Sequence, residues 1–250
     1  MSLDAVFKAY DIRGLVPEEL NADVARNVGA AFARFAKAPC ILVGRDMRPS
    51  GVELSGAFIE GALDQGVDVI DLGLIPTDLL YFASGKLDMP GATFTGSHNP
   101  AQYNGIKLCL EGAKPVGEDT GLDAIKADIA ATMQSGGGAV SAERRGEAHA
   151  LDLLPDYADH VRSFIDVNAI RPLKIVADTA NGMGGLALPQ VMGALPVTLE
   201  ILFEELDGTF PNHPADPINP ANQVDLIARV KETGADIGLA FDGDADRVFL

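Results

Sequence analysis

Short apolar runs that each break into a polar loop, with amphipathic stretches between them, recur along nearly the whole chain. Ile41-Leu42-Val43-Gly44, Gly91-Ala92-Thr93-Phe94, Leu173-Lys174-Ile175-Val176-Ala177 and Asp236-Ile237-Gly238-Leu239-Ala240-Phe241 read as buried strands. Residues 17–37, 51–65, 76–86, 120–134, 153–164, 186–192 and 223–233 read as helices, the first with Pro17, Glu18 and Glu19 in its opening turn. Strands alternating with helices predict a mostly parallel sheet covered on both faces. The expected class is α/β, as two similar three-layer α/β/α domains with mostly parallel mixed sheets.

Ser135-Gly136-Gly137-Gly138 closes the first block, and the small, polar and charged residues up to Ala150 read as a junction. The expected division is therefore 1–138, a junction at 139–150, and 151–250, the last incomplete at its C-terminus. The two blocks rhyme. Val43 to Asp46 resembles Val176 to Asp178, and Phe94 to Ser97 resembles Phe241 to Asp244, which suggests duplicated topology.

A net charge of -17 argues against a nucleic-acid partner, which requires a basic surface. No apolar run approaches the roughly 18 residues of a membrane span. Met1-Ser2-Leu3-Asp4 lacks the basic and apolar regions of a signal peptide, so a cytoplasmic protein without a membrane partner is expected. Cys40 and Cys109 lie in apolar strand-like runs with no metal-ligand pattern, and buried free thiols are expected.

Two strand-end loops carry the chemistry. Thr95-Gly96-Ser97-His98-Asn99-Pro100 holds a serine where open α/β sheets place reactive groups, although a polar turn with an N-cap serine reads equally well from the hexapeptide alone. Asp242-Gly243-Asp244-Ala245-Asp246-Arg247 spaces three carboxylates at i, i+2 and i+4, separated by small residues that let the loop curl. Carboxylates so close repel unless a cation neutralises them, and a hard divalent ion, Mg²⁺ for preference, suits oxygen ligands. The rival is a solvated acidic turn. An EF-hand is rejected, because Arg247 stands where its loop needs glycine and a strand replaces its first helix. Ser97 as hydroxyl or phosphate and Asp242, Asp244 and Asp246 as metal ligands then form one hypothesis. Lys107, Arg247 and Arg13 are cations adjacent to it.

These residues resemble the α-D-phosphohexomutases, and Tyr10-Asp11-Ile12-Arg13-Gly14 and Gly96 resemble the phosphomannomutase/phosphoglucomutase branch. Asn104-Gly105-Ile106-Lys107 and Asp207-Gly208-Thr209-Phe210-Pro211-Asn212-His213 match as well. The resemblance implies an intramolecular phosphotransferase: phosphate on Ser97 passes to a hexose 1- or 6-phosphate, the bisphosphate reorients, and its other phosphate returns. It implies Mg²⁺ on Ser97, Asp242, Asp244 and Asp246. It gives Lys107, His98 and Arg13 roles in proton transfer and charge stabilisation, and Arg247 one in orienting the metal loop and phosphate. The Arg45 to Arg48 loop is expected as scaffold and the Asn181 to Gly185 turn as structural. Family members resemble four-domain chains, so this chain would correspond to the first two domains and lack those that choose and grip the sugar. That predicts slow turnover, and an apolar face left exposed, hence self-association. The alternatives are a Mg-dependent phosphatase and a non-catalytic sugar-phosphate-binding fragment.

Overall fold

A computed structural model describes residues 3–134 and 142–250. The elements are β1 (Ile12–Leu15), α1 (Ala22–Ala36), β2 (Cys40–Arg45), α2 (Pro49–Leu63), β3 (Asp68–Leu74), α3 (Thr77–Leu87), β4 (Gly91–Phe94), β5 (Tyr103–Leu110), β6 (Lys114–Pro115) and α4 (Leu122–Gln134). They continue as β7 (Ala148–Ala150), α5 (Leu154–Ser163), β8 (Leu173–Asp178), α6 (Gly184–Met192), β9 (Val197–Leu202), α7 (Val224–Thr233), β10 (Ile237–Phe241) and β11 (Val248–Phe249).

Two mixed, mostly parallel sheets result. The first runs β1-β5-β4-β2-β3-β7 with β6 on β5, and the second β11-β10-β8-β9. In the first, β4, β2 and β3 are parallel and β5 runs antiparallel to β4. In the second, β10, β8 and β9 are parallel and β11 runs antiparallel to β10. The segment β5-β4-β2-β3 and the whole second sheet thus share strand order and direction. Strand β10 is the counterpart of β4, so the serine loop and the aspartate loop leave matching strands at their carboxyl ends.

The cores explain why those ends are rigid. Phe58 on α2 is fully buried, with its ring 6.2 Å from that of Phe32 and edge-on to Phe94 at 5.5 Å. Phe94 is the last residue of β4, so this aromatic stack anchors the strand where the serine loop begins. In the second domain, Ile175 and Ala177 of β8 pack with Leu188, while the intervening Val176 packs with Leu226 on the other face. That alternation covers both sides of the sheet. Val224, Ile227, Phe249 and Leu250 leave exposed apolar surface beside α7 and β11.

Three expectations change. The first helix begins at Ala22 instead of at Pro17, because the Asn21 side chain accepts a hydrogen bond from the Val24 amide at 3.1 Å. Residues 17–20 form a turn instead, closed by Glu19 Oε2 accepting from the Leu15 amide at 2.9 Å. Cys109 is buried and Cys40 only half-buried, both as free thiols. Of the junction expected at 139–150, residues 139–141 fall outside the described residues, as do Ser135 to Gly138 before it, while Ala148–Ala150 forms β7 and pairs in parallel with β3. No helix among the described residues is long and apolar enough to cross a membrane.

Candidate active site

Ser97 is buried and sits at a φ of 50°, the left-handed region that a residue with a side chain adopts only when its surroundings enforce it. Its amide donates to Thr95 Oγ1 at 2.8 Å, which tightens the turn off β4. The aspartate loop turns likewise. Ala245 lies at a φ of 60°, and its amide donates to the Asp242 carbonyl at 3.2 Å. This curl brings Asp242, Asp244 and Asp246 together, with one oxygen from each within 4.8 Å of the others.

The two loops touch. Ser97 Oγ donates to Asp242 Oδ2 at 2.9 Å. Arg247 donates from Nε to Asp242 Oδ2 at 2.9 Å, and from Nη2 to both Ser97 Oγ and His98 Nδ1. A guanidinium only donates, so His98 Nδ1 is an acceptor and the ring proton lies on Nε2. Burial and the adjacent Arg247 charge hold the His98 pKa below its ordinary value, which agrees with a neutral ring. A side chain at Gly243 would place a Cβ 2.6 Å from the Ser97 carbonyl oxygen, so glycine is what lets the loops approach.

Domain one also supplies the charge that offsets the aspartates. Lys107 on β5 donates to Asp244 Oδ2 and to Asp246 Oδ2, both at 2.8 Å. Burial alone would raise the Asp244 pKa, but the Lys107 ammonium reverses that and holds it low. Asp242 moves the other way: burial and then the Asp244 and Asp246 charges push it up. Asp244 Oδ1 is buried without a hydrogen-bond partner. An orphaned carboxylate oxygen beside two further carboxylates is a donor set that fits a hard divalent cation.

Most residues singled out by sequence therefore meet. Ser97, His98, Asp242, Asp244, Asp246, Arg247 and Lys107 form one connected cluster. Arg13 stands beside it. Its partner on β5 is Gly105, two residues from Lys107 on the same sheet face, but its guanidinium pairs with Asp11 and reaches His98 only through its charge. The Asn181 to Gly185 turn packs behind the aspartate loop, with the Met183 amide donating to the Gly243 carbonyl at 2.8 Å.

Sequence reasoning missed Thr77. At the start of α3 it donates from Oγ1 to Asp244 Oδ2 at 2.6 Å, and from its amide to the Asp244 carbonyl at 3.1 Å. Thr77→Val keeps the shape and removes the buried donor. A loss of about 1–3 kcal/mol in urea unfolding is expected, with Thr77→Ser close to the parent.

His213, in the proline-rich loop, contacts Asp178 Oδ2 through Nε2 at 3.0 Å and the Pro214 carbonyl through Nδ1 at 2.9 Å. Both partners are acceptors, so the protonated ring, with a proton on each nitrogen, is the form that satisfies both contacts. The Asp178 hydrogen bond raises its pKa above 6.5. A raised folded-state pKa contributes stability that is fully present below the unfolded value and is lost as pH climbs through the folded value. The midpoint of urea unfolding should fall across that window, and His213→Gln should flatten the fall.

This chain matches phosphoglucomutase/phosphomannomutase, alpha/beta/alpha domain I, over residues 4–135, and domain II over residues 155–250. It belongs to the phosphoglucomutase/phosphomannomutase family. Among curated relatives, it is 42% identical over 248 residues to a phosphomannomutase/phosphoglucomutase of Pseudomonas aeruginosa, covering 98% of this chain and 51% of that one. It is 41% identical over 251 residues to a phosphomannomutase of Escherichia coli, covering 98% of this chain and 54% of the relative. The solved structure of a phosphoglucomutase/phosphomannomutase family protein from Burkholderia thailandensis superposes with a TM-score of 0.86 at 37% identity, covering 99% of this chain and 54% of the other. The chain thus spans about half the length of the curated relatives it matches. As a phosphoglucomutase/phosphomannomutase family chain, it carries Ser97 on the domain I match and all three aspartates on the domain II match.

Proposed function

We propose that this chain carries the phosphoserine side of a phosphohexomutase site, acting in the interconversion of hexose 1-phosphate and hexose 6-phosphate of mannose, glucose or both. Ser97 Oγ attacks a phosphorus of a hexose 1,6-bisphosphate. The bond from phosphorus to the sugar oxygen breaks as the bond to Oγ forms, and the sugar oxygen takes up a proton. In the full cycle that return step comes second: phosphate on Ser97 first passes to the free hydroxyl of a hexose 1- or 6-phosphate, the bisphosphate reorients, and its other phosphate is the one that returns to Ser97 Oγ, which exchanges the two positions. The observation that carries this reading is the Ser97 Oγ contact with Asp242 at 2.9 Å, where the two loops converge.

The residues divide the work by what they touch. Asp242 Oδ2 holds the Ser97 hydroxyl proton, and Arg247 orients Oγ, His98 and Asp242 together. Lys107 and Arg13, on one sheet face, present positive charge to the incoming phosphate, and His98 exchanges the proton of the sugar oxygen. Asp242, Asp244, Asp246 and a phosphate on Ser97 would hold Mg²⁺. Bound there, the ion offsets negative charge on the transferring phosphoryl group.

The test is intact-protein mass after incubation with glucose 1,6-bisphosphate and Mg²⁺, with free phosphate measured in parallel. A stable phosphoryl adduct on the parent, absent from Ser97→Ala, is expected. Continuous phosphate release without an adduct would assign a phosphatase instead. Neither adduct nor release would leave a non-catalytic binding role and overturn the proposal.

A further inference from the structure

Arg48 is the largest fully buried side chain among the described residues, and it lies directly beneath the serine loop. All five of its guanidinium donors are used. Nε donates to Asp46 Oδ2 at 3.2 Å. Nη2 donates to the carbonyls of Ser97 at 2.9 Å and Asn99 at 2.7 Å. Nη1 donates to those of Pro100 at 2.7 Å and Tyr103 at 2.9 Å. One side chain therefore gathers three carbonyls from the loop that carries Ser97 and a fourth from the first residue of β5, where that loop ends. Asp46 fixes the guanidinium in turn, accepting also from the Arg48 amide at 2.9 Å and from the Gly96 amide at 3.4 Å.

The second domain closes on the same group. The Phe210 ring lies 5.0 Å from the guanidinium carbon. A Cβ at Gly208 would come within 2.5 Å of Arg48 Cα, so this loop packs against the arginine backbone itself. A charge buried at this depth costs desolvation that an apolar residue avoids. What the arginine provides instead is a rigid fork that holds Ser97 in its left-handed conformation and touches the domain bearing the aspartates.

We propose that Arg48 is the positioning residue for phosphoryl transfer at Ser97: it aims Oγ at the aspartate loop and couples that aim to the seating of the second domain through Phe210. This rests on the reading of Ser97 as the phosphoryl acceptor. Lysine keeps the charge at this position but loses the fork, so Arg48→Lys should loosen the loop without opening a large void.

The experiment is single-turnover phosphorylation from glucose 1,6-bisphosphate with Mg²⁺, followed by quenched intact mass, for the parent, Arg48→Lys and Phe210→Leu. A mispositioned nucleophile reacts slowly in every molecule, whereas partial unfolding leaves fewer molecules reacting at the parent rate. Arg48→Lys should lower the rate constant at saturating donor by about 10- to 100-fold with full amplitude and an unchanged half-saturating concentration. Phe210→Leu should lower it less, in the same manner. A rate constant within about twofold of the parent for Arg48→Lys, or a loss confined to amplitude, would overturn the inference while leaving Ser97 as acceptor. If Arg48→Lys does not fold, Phe210→Leu carries the test, and a parent-like rate constant there overturns it. A parent that takes up no phosphoryl group overturns the functional reading and this inference together.

Discussion

Replacing Lys107 with methionine should destabilise the protein by about 3–5 kcal/mol in chelator-containing buffer, because it strands a buried charge. The Lys107 ammonium bonds Asp244 and Asp246. Asp244 and Asp242 are both fully buried, and Arg247 reaches Asp242 and Asp246. Without the lysine, the Asp244 carboxylate loses its charged hydrogen-bond donor and keeps the neutral Thr77 hydroxyl. Its carboxyl should then titrate well above its present depressed value. A divalent ion would take over the lost neutralisation. Adding Mg²⁺ should therefore restore much more of the unfolding midpoint in the variant than it adds to the parent. Equal shifts in both proteins would show that the ion does not take over the neutralisation that Lys107 supplies. No loss in chelator would show that Lys107 does not neutralise them.

Phe58→Ala should cost about 3–5 kcal/mol in denaturant unfolding, the usual range for truncating a buried aromatic. Phe58 is fully buried between Phe32 and Phe94, and the chain leaves β4 at Phe94 to build the Ser97 loop. The loss should thus appear in function as well, with phosphorylation of Ser97 slowed in the molecules that remain folded. Phe58→Leu, which keeps most of the volume, should recover the greater part of both effects. A stability loss below about 1 kcal/mol for Phe58→Ala would mean that this stack does not anchor the strand.

What the sequence made legible follows from the range of the interactions. Apolar runs such as Ile41 to Gly44 and Asp236 to Phe241 declare buried strands locally, and the rhyme between Phe94 to Ser97 and Phe241 to Asp244 corresponds to the matching places of β4 and β10 in their sheets. The Asn21 cap was hidden behind Pro17 and its two glutamates, which form an equally good helix start on paper. Strand β7 could not be read, since Ala148-His149-Ala150 is exposed, carries no apolar pattern, and is held by backbone pairing to β3 alone. Within the site, residues beside the two loops were legible because chemistry and spacing coincide. Thr77 and Arg48 act across distances in sequence that no local pattern records: Thr77 reaches 167 residues to Asp244, and Arg48 binds carbonyls 49 to 55 residues away. Arg13 shows the reverse case, a plausible site cation that a near neighbour, Asp11, holds to one side.

The central claim is that Ser97 of one domain and the three aspartates of the other form a single site for one phosphoryl group and one divalent ion. Phosphorus NMR of the Ser97-phosphorylated protein during Mn²⁺ titration tests it most directly, because paramagnetic broadening falls steeply with distance from the ion. Strong broadening of the phosphoserine signal at stoichiometric Mn²⁺ is expected, and its loss in Asp244→Asn. A phosphoserine signal that stays sharp while Mn²⁺ is bound would contradict the account.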